Sequence, residues 1–291
     1  MPTASRALLA TSVLLCFPLA AHAAVVVPTQ STRVTIARAG ATDTALVRSV
    51  SGGGVRFTEA VAAMGTDKFR VSTVTREAEP LRFTSSFGLR KGTSTVMVDL
   101  SPRIVKMSAI EMRVAKLPRQ TGAAGEKTYV RGTPSFSNVT FTAARVPNSP
   151  LAEWAKAQAS GTATRKDITI VFQAGSPENR KFVLRGALPV VCAPLEMDAG
   201  GIPYEALEVS PQTIEFGSSP MAFGTGWLDA TTRGADPRAE VTVSLLDGAT
   251  VSRSTTYAGA FVTLYKTDAI DFSAPTATET WEIQPSGVAS L

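Results

Sequence analysis

The chain has 291 residues, a formal net charge of +5, one histidine and two cysteines. Its lysines and arginines are scattered rather than blocked, so the basic balance gives no footing for nucleic-acid or anionic-lipid binding. Loss of an N-terminal leader would leave no histidine, which excludes Ser-His-Asp relays, Cys-His pairs and imidazole metal sites.

Residues 1–23 read as a secretory signal peptide: Arg6 is the basic start, Ala7 to Leu19 the apolar run, and Ala21-His22-Ala23 the small-residue cleavage site. Cleavage after Ala23 removes His22 and Cys16 and sends a chain beginning at Ala24 to the periplasm, the cell surface or the medium. A lipoprotein signal ending at Cys16 is the competing reading, which Leu15 disfavours by its size. Cys192 is then the lone thiol and has no internal disulfide partner. Its setting in Leu188-Pro189-Val190-Val191-Cys192 predicts a small buried residue on a strand, with an intermolecular bridge as the alternative. No later apolar run is long enough to span a bilayer.

From Thr32 the chain alternates apolar and polar residues in short runs, among them Arg33 to Ala37, Val55 to Val61, Phe69 to Val74 and Leu81 to Phe87. That period predicts antiparallel strands with one packed and one wet face. Gly52-Gly53-Gly54 marks a turn or bulge, since no downstream Gly-Lys-Ser/Thr makes it a phosphate loop. Thr93 to Leu100 and Arg103 to Lys116 continue the strands, Leu117 to Lys127 reads as a long loop, and Phe136 to Phe141 resumes. The Asn138-Val139-Thr140 sequon falls inside this last run, which argues against glycosylation.

A helix opens at Ser149-Pro150, a serine cap with proline at the first helical position, and Gly161 is its stop. Leu151, Trp154 and Ala155 form its packed face. Strands follow over Asp167 to Phe172, Lys181 to Leu184, Ala187 to Cys192 and Tyr204 to Ser210. Much of this stretch then recurs. Trp154, Gly161, Arg165 and Ile168 return as Trp227, Gly234, Arg238 and Val241, an offset of 73, and Glu205 to Pro211 returns as Glu279 to Pro285, an offset of 74. An echo at fixed period means one supersecondary unit used twice. Ser219-Pro220 echoes Ser149-Pro150 less regularly, and Gly224 and Gly226 predict a short or broken second helix. Strands are expected after it at Val241 to Leu246, Ser254 to Tyr257, Ala260 to Tyr265 and Thr278 to Gln284.

The order of the Phe136 to Phe141 strand, the Leu151-Ala152-Glu153-Trp154 helix, Arg165 to Ile170, and the acidic strand Glu205 to Val209 resembles the T4-like tail-tube proteins of contractile-tailed phages and the type VI secretion tube. One pass of the pattern covers roughly 105–216, and a second, divided pass uses 47–88 with 213–288. The resemblance implies a mainly β chain: two related tail-tube-like antiparallel β-barrels or sandwiches, each with a flanking short helix. The expected organisation is a signal peptide at 1–23, a β segment of the first domain at 24–102, a complete domain at 103–216, and a repeat half at 217–291 that completes or parallels the first. It further implies self-association into rings, a tube or a filament, with other tail-like or surface assembly proteins as possible partners. The secretory signal is the departure, because such tubes assemble in the cytoplasm.

A structural, self-assembling exported protein is therefore the expected function, with a secreted β-sandwich binding module for a surface glycan or protein as the alternative. No cofactor, metal or catalytic residue is expected. Without histidine the feasible chemistries are a paired-carboxylate hydrolase or a Ser-Lys nucleophile. Glu205 with Glu208, and Glu279 with Glu282, are candidate carboxylate pairs, but a spacing of three on a strand sends the two side chains to opposite faces. Nucleic acid is not an expected partner, because no basic stripe with interleaved aromatics is present.

Overall fold

The structure is a computed structural model that describes residues 30–64, 69–90, 97–99, 104–121, 126–173, 179–195, 197, 200–217 and 222–290. The signal segment 1–23, with Cys16 and His22, and the Ser219-Pro220 echo lie outside the described residues. The chain begins with β1 (Gln30–Arg38), β2 (Ala41–Val47), β3 (Ser49–Gly52), β4 (Val55–Met64), β5 (Phe69–Ala78) and β6 (Leu81–Gly88). It continues with β7 (Met97–Val98), β8 (Ile104–Met107), β9 (Glu111–Thr121), β10 (Glu126–Phe136), β11 (Val139–Ala144), helix α1 (Pro150–Ala159), β12 (Lys166–Phe172), β13 (Arg180–Pro194), β14 (Tyr204–Ser210) and β15 (Thr213–Gly217). Helix α2 (Thr225–Thr232), β16 (Ala239–Asp247), β17 (Thr250–Thr267), β18 (Ile270–Asp271), β19 (Thr276–Gln284) and β20 (Gly287–Ser290) complete it.

The expected mainly β architecture is what the chain adopts, with two short helices among the described residues. The larger sheet runs β2-β1-β16-β17-β9-β10-β5-β4, with β19 joining β17 to β6, β3 on β6 and β20 on β17. The smaller runs β18-β8-β11-β14-β13-β12-β7, with β15 on β13. Among the described residues every pairing is antiparallel except the short contact of β10 with β5. Alternation decides which face is buried: in β6, Leu81, Phe83, Ser85 and Phe87 point inward, and in β11, Val139, Phe141 and Ala143 do. The inward faces of both sheets meet in one core. A chain of ring contacts runs through it, from Phe172 to Phe182 (5.7 Å), Phe216 (5.6 Å), Tyr265 (5.1 Å), Trp281 (5.0 Å) and Phe83 (5.8 Å), so the sheets share buried aromatic surface.

The helices form as their sequences dictate. The Ser149 hydroxyl accepts a bond from the Ala152 amide at 3.0 Å, and Pro150 takes the position where a missing amide hydrogen costs nothing. Helix α2 is shorter and starts from Gly224 in a left-handed conformation, φ +69°, packed so closely under the Trp281 ring that a Cβ would collide with it.

Hydrogen bonds recur at the same spacing as the residues. The indole N–H of Trp154 donates to the Thr164 carbonyl at 2.8 Å, and that of Trp227 donates to the Pro237 carbonyl at 2.6 Å. The helix ends close alike: Ser160, Gly161 and Thr162 amides bond Lys156, Gln158 and Ala157 carbonyls, and Arg233, Gly234 and Ala235 amides bond Asp229, Thr231 and Ala230 carbonyls. Arg165 reaches the Gly186 carbonyl at 2.6 Å and Arg238 the Gly259 carbonyl at 3.1 Å. Both glycines sit at φ +56°, where β13 and β17 bend. The front halves correspond too. Met107 faces Phe141 as Val50 faces Phe83, and in the β9–β10 and β4–β5 hairpins Met112 faces Phe136 as Val55 faces Ala78.

Four readings change. Lys181–Leu184 and Ala187–Cys192 are one bent strand, as are Ser254–Tyr257 and Ala260–Tyr265, because Gly186 and Gly259 bend the backbone without ending the ladder. Leu117 to Thr121 and Glu126 to Lys127 belong to a long hairpin, since the β9–β10 ladder continues past Pro118, which faces Tyr129; the connection at 122–125 lies outside the described residues. Asn138 sits between β10 and β11 rather than inside a strand, with its amide donating to Glu208 at 2.6 Å. Cys192 is exposed rather than buried, because the outer half of β13 has no layer over it.

Candidate functional site

The most elaborate polar cluster lies where the smaller sheet meets the larger. Glu279, on β19, is 1% exposed and accepts bonds from the Ser85 hydroxyl (2.7 Å), the Tyr265 hydroxyl (2.9 Å) and the Arg180 guanidinium. Arg180 opens β13, is itself buried, and also donates to the Tyr265 oxygen at 3.3 Å and the Phe223 carbonyl at 3.4 Å while its guanidinium lies 4.6 Å from the Phe87 ring centre. A buried charge needs this saturation of partners to persist. Burial, reinforced by the Glu279 carboxylate, pushes the Tyr265 phenol well above its ordinary value, so it stays a neutral donor. Burial alone would lower the Arg180 guanidinium, and the Glu279 carboxylate, with the hydrogen bonds to Glu279 and the Tyr265 hydroxyl, outweighs it and holds the group above its ordinary value.

Beside this cluster the β9–β10 hairpin adds a strand to the edge of β17. Arg113, Met112 and Glu111 face Leu264, Tyr265 and Lys266. The Thr267 amide donates to the Ile110 carbonyl at 2.9 Å and its hydroxyl accepts from the Ile110 amide at 3.0 Å. Lys266 pairs with Glu111 at 3.5 Å. The result buries Thr263, Leu264 and Tyr265.

At the corresponding place on the smaller sheet there is no such cover. Glu205 faces Ala143 and Pro194 as Glu279 faces Ser85 and Thr267. It is 6% exposed, and its Oε1 has no hydrogen-bond partner. It lines a cleft of about 440 Å³ with Arg145, Ala152, Glu153, Lys156 and Cys192. Among the described residues no strand pairs with β13 over Val190–Pro194 on the side away from β14.

The two candidate carboxylate pairs each divide as strand alternation requires, Glu205 and Glu279 inward and Glu208 and Glu282 toward the outer face. Neither pair converges on a common point. Glu282 instead pairs with Arg82 at 2.6 Å, and Glu208 accepts from Asn138. Among the described residues no group of three His, Cys, Asp or Glu is placed to hold a metal. Arg180 escaped sequence reasoning. Its signal was the recurrence, which aligns Arg180 with Arg253 and Glu205 with Glu279, but nothing in the order of residues tells that Arg180 crosses to the other sheet.

Comparison with known proteins matches no family model and no curated protein. Among solved structures, the chain is similar to the tube-terminating cap of the anti-feeding prophage, with 18% identity and a TM-score of 0.37 over 44% of this chain and 90% of that one. It is similar to the sheath/tube terminator of an extracellular contractile injection system, with 17% identity and a TM-score of 0.37 over 44% of this chain and 96% of that one. It is also similar to a structure of the anti-feeding prophage baseplate, with 12% identity and a TM-score of 0.30 over 65% of this chain and 93% of that one.

Proposed function

We propose that this chain is a structural building block of the tail-tube kind that is exported and assembles with copies of itself into rings, a tube or a filament. It is made of two copies of one domain, one nested inside the other. Support for the nesting comes from the matched hydrogen bonds of the two Trp-bearing helices and from the matched pairing at the open ends of the two hairpins, Met112 to Val114 with Phe136 to Pro134 and Val55 to Phe57 with Ala78 to Arg76, ahead of a bulge that only the first hairpin has. Val98 faces Ile170 as Val34 faces Val243, which supports a reading in which the inner copy opens with the strand at Met97 rather than at 103.

The observation that carries the proposal is the junction itself. One copy lends a strand and an arginine to the edge and carboxylate of a like copy, which is a head-to-tail contact between equivalent units. Such a contact repeats into a ring if its rotation closes and into a filament if it does not. Export rests on the signal-like residues 1–23, and other tail-like proteins are the partners this reading implies. Light scattering after size exclusion of the exported protein, followed by negative-stain microscopy, tests it: particles of several subunits with a ring or tubular outline are expected. A monomer at every concentration up to the solubility limit would overturn it.

A further inference from the structure

The two halves of the junction are both present in one chain, but each has a counterpart that is unmatched. On the receiving side, Val190 and Val191 are 51% and 47% exposed and Cys192 is exposed, whereas the positions that correspond to them, Thr263, Leu264 and Tyr265, are buried under β9. On the donating side, β4 corresponds to β9 by register, yet its outer edge is the end of the larger sheet, with no further strand beyond it among the described residues. Open strand edges with apolar side chains are what proteins otherwise cover or blunt. Arg253 likewise corresponds to Arg180, and it stands exposed at the surface. Glu205 corresponds to Glu279 and has a buried oxygen without a partner. Arg145 lines the same cleft, where the other sheet has Phe87, and leaves that oxygen unbonded.

Resting on the self-assembly reading above, we infer that the start of β4 in one copy adds to the Val191–Ala193 edge of β13 in a second copy and brings Arg253 toward the Glu205 cleft. The occupant is a second copy because the chain itself contains the finished version of the same contact, with the same strand register and the same arginine-carboxylate order. In that version Met112 faces Tyr265. The corresponding pair between copies is Val55 with Cys192. Residues directly opposite on one face of an antiparallel pair have Cβ atoms about 4.5–5.5 Å apart, within the reach of a disulfide after small adjustment.

The test uses the full chain in a Cys16→Ser background carrying Val55→Cys, a change at a position 37% exposed on the open edge. Mild oxidation with diamide, which takes up the two electrons and two protons of the thiols, is expected to give a ladder of covalent dimers and higher species on non-reducing gels. The ladder disappears with Cys192→Ser, and Arg253→Glu lowers its yield about tenfold or more. Peptide mapping identifies the 55–192 bond. Assembly by light scattering without a 55–192 bond, or a yield indifferent to Arg253→Glu, overturns this interface while leaving self-assembly standing. Absence of assembly and of the bond in a chain whose circular dichroism is unchanged overturns both.

Discussion

Residues 188–194 and 261–267 occupy the same place on two bent strands, and their fates are opposite. The second stretch, with Phe261, Leu264 and Tyr265, lies under a hairpin and around a saturated Glu279, whereas the first leaves Val190, Val191 and Cys192 in solvent beside a Glu205 oxygen that nothing bonds. Hydrophobicity does not separate them, because Val-Val-Cys is at least as apolar as Thr-Leu-Tyr. What differs is whether a hairpin such as β9–β10 is at hand to cover the edge. Burial in this molecule is therefore a property of the junction as much as of the strand.

The largest expected effect removes the finished junction. Arg180→Met leaves the buried Glu279 carboxylate with hydroxyl donors only, and breaking one side of a buried pair costs about 3–5 kcal/mol. Arg253→Met at the corresponding exposed position should change the stability of a single chain by less than about 0.5 kcal/mol. Urea unfolding midpoints of the two variants measure the contrast. Equal losses would mean that the two positions are alike in the isolated chain and would remove the basis for the comparison.

Much of this was legible beforehand. Period-two alternation located the principal strands, and the Ser149-Pro150 pair marked α1. The burial of Cys192 was misread for a physical reason: an apolar run specifies a strand that can be buried but not the layer that buries it. The long loop was misread because glycine and small residues suggested flexibility, whereas a ladder partner in β10 ordered most of it. Arg180 could not be read as a site residue at all, since its meaning lies in a contact made 99 residues away across two sheets.

A second contrast asks how far the two helices are the same device. Each tryptophan is buried and donates its indole N–H to a carbonyl ten residues on. Trp154→Phe and Trp227→Phe each remove that donor and leave a carbonyl short of a partner, a loss of about 1–3 kcal/mol. Thermal or urea unfolding should show losses of similar size. A negligible loss for one of them would show that its hydrogen bond is met by water in that copy, and would confine the equivalence to the backbone.

The smallest expected effect concerns the lash between the hairpins, where β5 and β10 touch at Arg76–Glu77 and Glu126–Lys127. Glu77 accepts a hydrogen bond from the Tyr129 hydroxyl and pairs with Lys127 at 3.5 Å, and these partners, the tyrosine bond first, hold its carboxyl below the usual glutamate range. A carboxyl depressed in the folded state stabilises fully above its unfolded value. That contribution is lost as pH falls through the ordinary glutamate range and on past the lower folded one. Backbone amides at 76–77 and 126–127, corrected for intrinsic exchange rates, should therefore lose protection as the solution is acidified across this window. Glu77→Gln should flatten that pH dependence without touching the protection of Leu264 to Lys266, where β9 is held by a full ladder. The two hairpins would then be shown to depend on different things, the docked one on its partner strand and the undocked one on its tie to the first.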